Sequence, residues 1–115
     1  MGDWRSTADV HGWKRRGAAV EVQLGDRVQT VLVTEHGSHL ELTSSIPTQP
    51  DAAGLVHLLE INRRLGLAWW QVSRGIAAAT SHCPAWADDT LVELHLRDTA
   101  ALADRYELGT SEFDL

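Results

Sequence analysis

The stretch Val20-Glu-Val-Gln-Leu-Gly-Asp-Arg-Val-Gln-Thr-Val-Leu-Val-Thr-Glu-His-Gly-Ser-His-Leu-Glu-Leu-Thr43 decides the fold. Val20, Val22 and Leu24 alternate with Glu21 and Gln23, the period-two pattern of a strand with one buried face. Gly25-Asp26 supplies a tight turn. Val28 to Thr34 is rich in β-branched residues and apolar on both faces, so it reads as a central strand. His36-Gly37 offers a second turn, in which Gly37 is free to take a positive φ. His39 to Thr43 alternates again, with Leu40 and Leu42 opposite His39 and Glu41. Together the three segments predict an antiparallel meander.

Working outward, Ser44 to Pro50 carries two prolines and three hydroxyl residues and reads as a connection. A helix is predicted over 51–65, with Asp51 as its cap, Leu55, Leu58, Leu59 and Leu65 as its apolar stripe, and Gly66 at a left-handed C-terminal position. Leu67 to Ser73, the turn Arg74-Gly75 and the small-residue run Ile76 to Cys83 predict a hairpin closed by Pro84. Thr90 and Glu93 have the capping-box spacing and predict a helix to about Tyr106. Val92, Leu94 and Leu96 also alternate with Glu93, His95 and Arg97, so 90–97 has a rival reading as a strand. On the other side, 1–17 holds a short helix or an irregular segment and ends in Lys14-Arg15-Arg16, which reads as a solvated turn. The expectation is one α+β domain over 1–115, with a core at 18–107 and a loose tail at 108–115. Its antiparallel sheet has five strands, in the order β-β-β-α-β-β-α.

The chain has 115 residues, 43% of them hydrophobic, enough for one core without disulfides or metal staples. Its net charge is −6, and charges balance through Pro84, so the whole excess lies in 85–115. That balance argues against a nucleic-acid partner, which needs a basic face to release counterions. No apolar run reaches the roughly 18 residues of a membrane span, and the first twenty residues are interrupted by charges. With Cys83 as the single cysteine, a reducing cytoplasm is the expected location.

No short catalytic or phosphate-binding signature occurs. His36 and His39, helped by His82 and Cys83, are the residues that could hold a metal or serve a small ligand-binding enzyme. Their spacing shows no common site, and His82 and Cys83, adjacent in a strand, face opposite ways. The reading therefore assigns no metal, no cofactor and no catalytic residue. Five of the seven aromatic residues are tryptophan, most of them expected in the core. Trp69 and Trp70 must face opposite sides of the sheet. Ala68, Trp70 and Val72 are expected beneath the helices. Leu67, Trp69 and Gln71 lie on a mixed face suited to a dimer or partner interface, because tryptophan is enriched in binding hot spots.

The run Leu58-Leu-Glu-Ile-Asn-Arg-Arg-Leu-Gly-Leu-Ala-Trp-Trp70, followed by a hairpin and a final helix, resembles the type III secretion chaperone-like fold. Its closer branch is similar to the YbjN-type domains of bacteria, and the likeness spans roughly Ala18 to Glu107. The resemblance implies a small, acidic, non-enzymatic homodimer, chaperone- or adaptor-like, that binds other polypeptides. A regulatory subunit docking one folded protein is the alternative. Secretion chaperones of this fold use a long first helix to form a client groove, whereas here a short glycine-punctuated segment stands in its place.

Overall fold

In the computed structural model, residues 3–46, 49–62 and 66–108 are described. The elements are α1 (Trp4–His11), β1 (Lys14–Arg16), β2 (Ala19–Leu24), β3 (Arg27–Glu35), β4 (His39–Ser45), α2 (Ala52–Ile61), β5 (Trp69–Ser73), β6 (Ile76–Pro84) and α3 (Asp89–Leu108). All strand pairs are antiparallel, in the spatial order β1-β2-β3-β4-β6-β5. The β6 strand therefore inserts between β4 and β5. The α+β architecture matches expectation, but the sheet has six strands rather than five.

The additional strand is Lys14-Arg15-Arg16, which pairs with Arg16 opposite Ala19 and Lys14 opposite Glu21. A solvated turn is expected there from the sequence, since the charges of residues 1–84 balance and leave these cations no basic face to join. The strand forms because Gly17, at φ 56°, folds the chain back onto β2. All three side chains are exposed, as on an edge strand protected by charge. Arg15 is held by Asp9 at 2.9 and 3.1 Å.

Residues 90–97 are helical, so the helix prevails over the alternation, but its cap is Asp88 rather than Thr90: Asp88 Oδ1 accepts the Leu91 N–H at 2.9 Å, α3 begins at Asp89 with Thr90 inside it, and it runs on for 20 residues. Burial explains the outcome. Val92, Leu96, Thr99, Ala100 and Ala103 form a stripe at three- and four-residue spacing against the sheet. By contrast, α2 is shorter than expected and ends at Ile61, with Asn62 as its C-cap in right-handed geometry. The expected stripe residue Leu65 lies outside the described residues, as do 109–115 of the expected tail, whose first residue, Leu108, instead ends α3. Neither Gly37 nor Gly66 has a positive φ; Gly25 does, and so do both residues of the Arg74-Gly75 turn.

One face of the sheet packs against the helices. Val20, Val22, Val31, Val33, Leu42 and Cys83 meet Trp4, Ala8 and Trp13 from the N-terminal segment, and Val92, Leu96 and Ala100 from α3. A second cluster joins Trp70, Ala77 and Ala79 to Leu58 of α2 and Ala103 of α3. Polar groups tie the layers where apolar contact runs out. Asp104 accepts from Arg27 Nε at 2.7 Å and from Gln29 Nε2 at 3.1 Å. Among the described residues no helix is long and apolar enough to cross a membrane.

Candidate functional site: the open sheet face

Because all three helices lie on one side, strand parity leaves the other side uncovered. It presents Val28, Thr30, Leu32 and Thr34 from β3, His39, Glu41, Thr43 and Ser45 from β4, Ile76, Ala78 and His82 from β6, and Trp69, Gln71 and Ser73 from β5, while Thr80 of β6 points the same way but is fully buried. Three large apolar side chains stand out to solvent there: Val28 at 47%, Leu32 at 48% and Ile76 at 56% exposure. A shallow groove of about 410 Å³ runs along Val28, Thr30, Leu32, Thr43 and Ser45. Leu32 pairs with Thr43, Thr43 with Thr80 and Thr80 with Trp69, so an uncharged row crosses four strands.

The two tryptophans divide as expected. Trp70 is 1% exposed and stacks edge-on against Tyr106, while Trp69 is half-buried on the open face with its ring edge-on to His82 at 5.0 Å. Gln71 shares that face and is exposed. Leu67, also exposed, does not belong to the strand: Asp98 Oδ2 on α3 captures the Leu67 and Ala68 N–H groups at 2.7 and 2.9 Å, which delays β5 until Trp69. The expectation that most tryptophans are core holds for Trp4, Trp13 and Trp70, whereas Trp86, in the β6–α3 connection, is 76% exposed.

Two amide side chains satisfy strand backbone groups that no neighbouring strand reaches. On β5, Asn62 acts as a substitute strand: its Nδ2 donates to the Trp70 carbonyl at 2.6 Å and its Oδ1 accepts the Trp70 N–H at 2.5 Å. Gln49 does the same for β6 beyond the end of β4, donating to the Ala77 carbonyl at 3.2 Å and accepting its N–H at 2.7 Å. Exposed cations line β1 at the other edge, a pattern that disfavours edge-to-edge strand pairing.

The histidine candidates come together, without the cysteine. His36 N–H donates to the His39 carbonyl across Gly37-Ser38, so the two imidazoles stack at 4.7 Å. Glu41 lies directly opposite His82, which places His39 diagonally to His82, with ring centroids 4.8 Å apart. Glu41 is 3.9 Å from His36 Nε2 and 3.6 Å from His82 Nε2. Among the described residues, however, no three His, Cys, Asp or Glu side chains already surround a point that could hold a metal ion. Cys83 belongs to the helix-facing core, fully buried, and desolvation raises its thiol above the ordinary value. Burial and a raised pKa both disfavour the thiolate form that nucleophilic attack requires.

One polar pair on the core face was not legible beforehand. Ser81 Oγ hydrogen-bonds His95 Nδ1, and Thr99 Oγ1 donates to the His95 carbonyl at 2.8 Å. Both side chains of the Ser81–His95 pair are buried, and desolvation lowers the His95 pKa against an opposing pull from Asp98. The pair resembles part of a catalytic arrangement, but it is sealed beneath α3 and serves to join α3 to β6. Comparison with known proteins found no family model and no curated relative that matches the chain.

Proposed function

We propose that this chain is a non-enzymatic protein-interaction module, chaperone- or adaptor-like, of the type III secretion chaperone-like kind and its YbjN branch. It acts in the cytoplasm as a homodimer and binds a polypeptide partner, not nucleic acid. The observation that carries this reading is the one-sided sheet. A face with Val28, Leu32 and Ile76 left out in water, joined to Trp69 by an uncharged row of threonines, is what an association surface needs.

A second copy of the chain is the proposed occupant. The row Leu32–Thr43–Thr80–Trp69 itself carries no charge, and the charges on this face flank it, with Lys14, Arg16 and Glu21 on β1 and β2 and Glu41 among its histidines on β4, so two copies meet along the uncharged row. Light scattering tests it: the wild type is expected at dimer mass, and Trp69→Glu and Leu32→Glu at monomer mass with an unchanged far-ultraviolet dichroism spectrum. Val10→Glu, on exposed α1, is expected to leave the dimer intact. A monomeric wild type, or dimers that survive both open-face substitutions, would refute the reading. Retention of a folded partner by such a monomer would favour the regulatory docking subunit instead.

A further inference from the structure

We propose that His36, His82 and Glu41, completed by His39, form a binding site for a zinc-class divalent cation at the rim of the open face. The argument begins with distance. Glu41 stands 3.9 Å from His36 Nε2 and 3.6 Å from His82 Nε2, the first approach being through Oε1 and the second through Oε2. Both separations exceed the 2.7 to 3.2 Å usual for an N–H···O hydrogen bond (about 2.9 Å at its mode), so neither is a formed hydrogen bond. They lie near the separation of about 3.4 Å that two ligands take when each is about 2.1 Å from a tetrahedral zinc ion. Two imidazoles thus flank one carboxylate at close to ligand-to-ligand spacing.

A fourth donor is at hand. The His39 ring lies between those of His36 and His82, with centroids 4.7 and 4.8 Å away. Ser38 Oγ, 2.9 Å from His39 Nδ1, engages that nitrogen, so Nε2 is the one a metal would take. A hydrogen bond to the non-ligating nitrogen is the outer-shell support that metal-bound histidines commonly have. Three imidazoles with one carboxylate form a donor set suited to zinc, and Cys83, on the opposite face, is not needed.

The rings lie stacked rather than converged, so binding requires side-chain rotation. The side chains allow it: His36 and His82 are 45% and 44% exposed, and Glu41 is 32% exposed. Their backbones are already fixed by the β3–β4 turn and the β4–β6 ladder, so the ion need order only side chains. An ion reaches them from solvent, because these side chains stand partly exposed on the open face.

Isothermal titration of the full chain with Zn²⁺ at neutral pH tests the proposal. One saturable site per chain is expected, weakened at least about tenfold in His82→Ala and in Glu41→Gln, and unchanged in a His11→Ala/His57→Ala double variant that removes histidines elsewhere. Imidazole ¹⁵N spectra of the wild type supply a readout that needs no variant: zinc should shift His36, His39 and His82 and leave His11, His57 and His95 in place. The absence of saturable binding, binding indifferent to His82→Ala, or shifts confined to other histidines would overturn the proposal. Dimerisation is measured separately in chelator, so failure of the metal site and failure of the association reading are told apart.

Discussion

Replacing Asn62 by alanine isolates a device that secondary structure alone does not reveal. Asn62 ends α2, and alanine is the better helix former by up to about 0.7 kcal/mol, so a residue that served only the helix would be replaced neutrally or with a small gain. Instead its carboxamide makes two hydrogen bonds with the Trp70 backbone, at 2.6 and 2.5 Å in a partly buried setting. Each contributes about 0.5 to 1.5 kcal/mol net, so losing both should cost roughly 1 to 3 kcal/mol, minus the helix gain. For a domain near 100 residues, about 1 kcal/mol moves the melting temperature by roughly 4 to 8 °C. Urea and thermal denaturation of Asn62→Ala should therefore show a clear loss, and amide exchange at Trp70 should accelerate ahead of its strand neighbours. Asn62→Asp should not rescue it, because a carboxylate accepts the Trp70 N–H but opposes the carbonyl. An Asn62→Ala variant as stable as the wild type, with Trp70 protection unchanged, would show that the bonds to the strand contribute nothing.

Trp70→Ala empties the largest part of the second core cluster, where Trp70 meets Leu58, Ala77 and Ala103; a loss of about 3 to 5 kcal/mol should bring the domain close to unfolding in a urea titration. Arg74→Asn should stabilise by about 0.5 to 1 kcal/mol, since Arg74 sits at φ 54° ahead of Gly75 at φ 77° and Asn-Gly is the favoured pair for such a hairpin turn; an unchanged melting temperature would count against the turn geometry. Stability should fall as pH drops below the ordinary imidazole value of 6.5, because unfolded His95 takes up a proton that the buried native ring resists. A further fall should follow below the ordinary carboxylate value of 4.5, where Glu35, lowered by hydrogen bonds from Trp4 and Arg5, and Glu93, lowered by Arg97 and His11, begin to protonate in the unfolded chain. Melting temperatures across this range check both windows, and a His95→Gln variant should lose the upper one only.

How much of this was legible follows from which signals are local. The alternation of Val20, Val22 and Leu24, the β-branched run after it and the Arg74-Gly75 turn each sit within a few residues, and each element formed where that chemistry placed it. The first strand did not announce itself, because Lys14-Arg15-Arg16 is written for an edge and carries charge where a buried strand would carry alternation. The end of α2 and the start of β5 were misplaced by a few residues for a different reason. Asn62 bonding Trp70, and Asp98 reaching 30 and 31 residues back to Ala68 and Leu67, are contacts between side chain and backbone that no periodicity encodes.

The histidine cluster shows the same division within a single site. The nearness of His36 to His39 is local, since a two-residue loop separates them. The arrival of His82 depends on β6, not β5, lying beside β4, and a chain read in order would set β5 there first. Once that order is established, parity assigns the chemistry. His82 and Cys83 are consecutive, yet the imidazole joins Glu41 and Trp69 in contact with solvent while the thiol sinks among Leu42, Val92 and Leu96. His95, the same residue type as His82, lies in the core against Ser81, where desolvation lowers its pKa. Residue type proposes what a side chain can do; the face on which the pleat sets it decides whether water, a cation or a second chain can reach it.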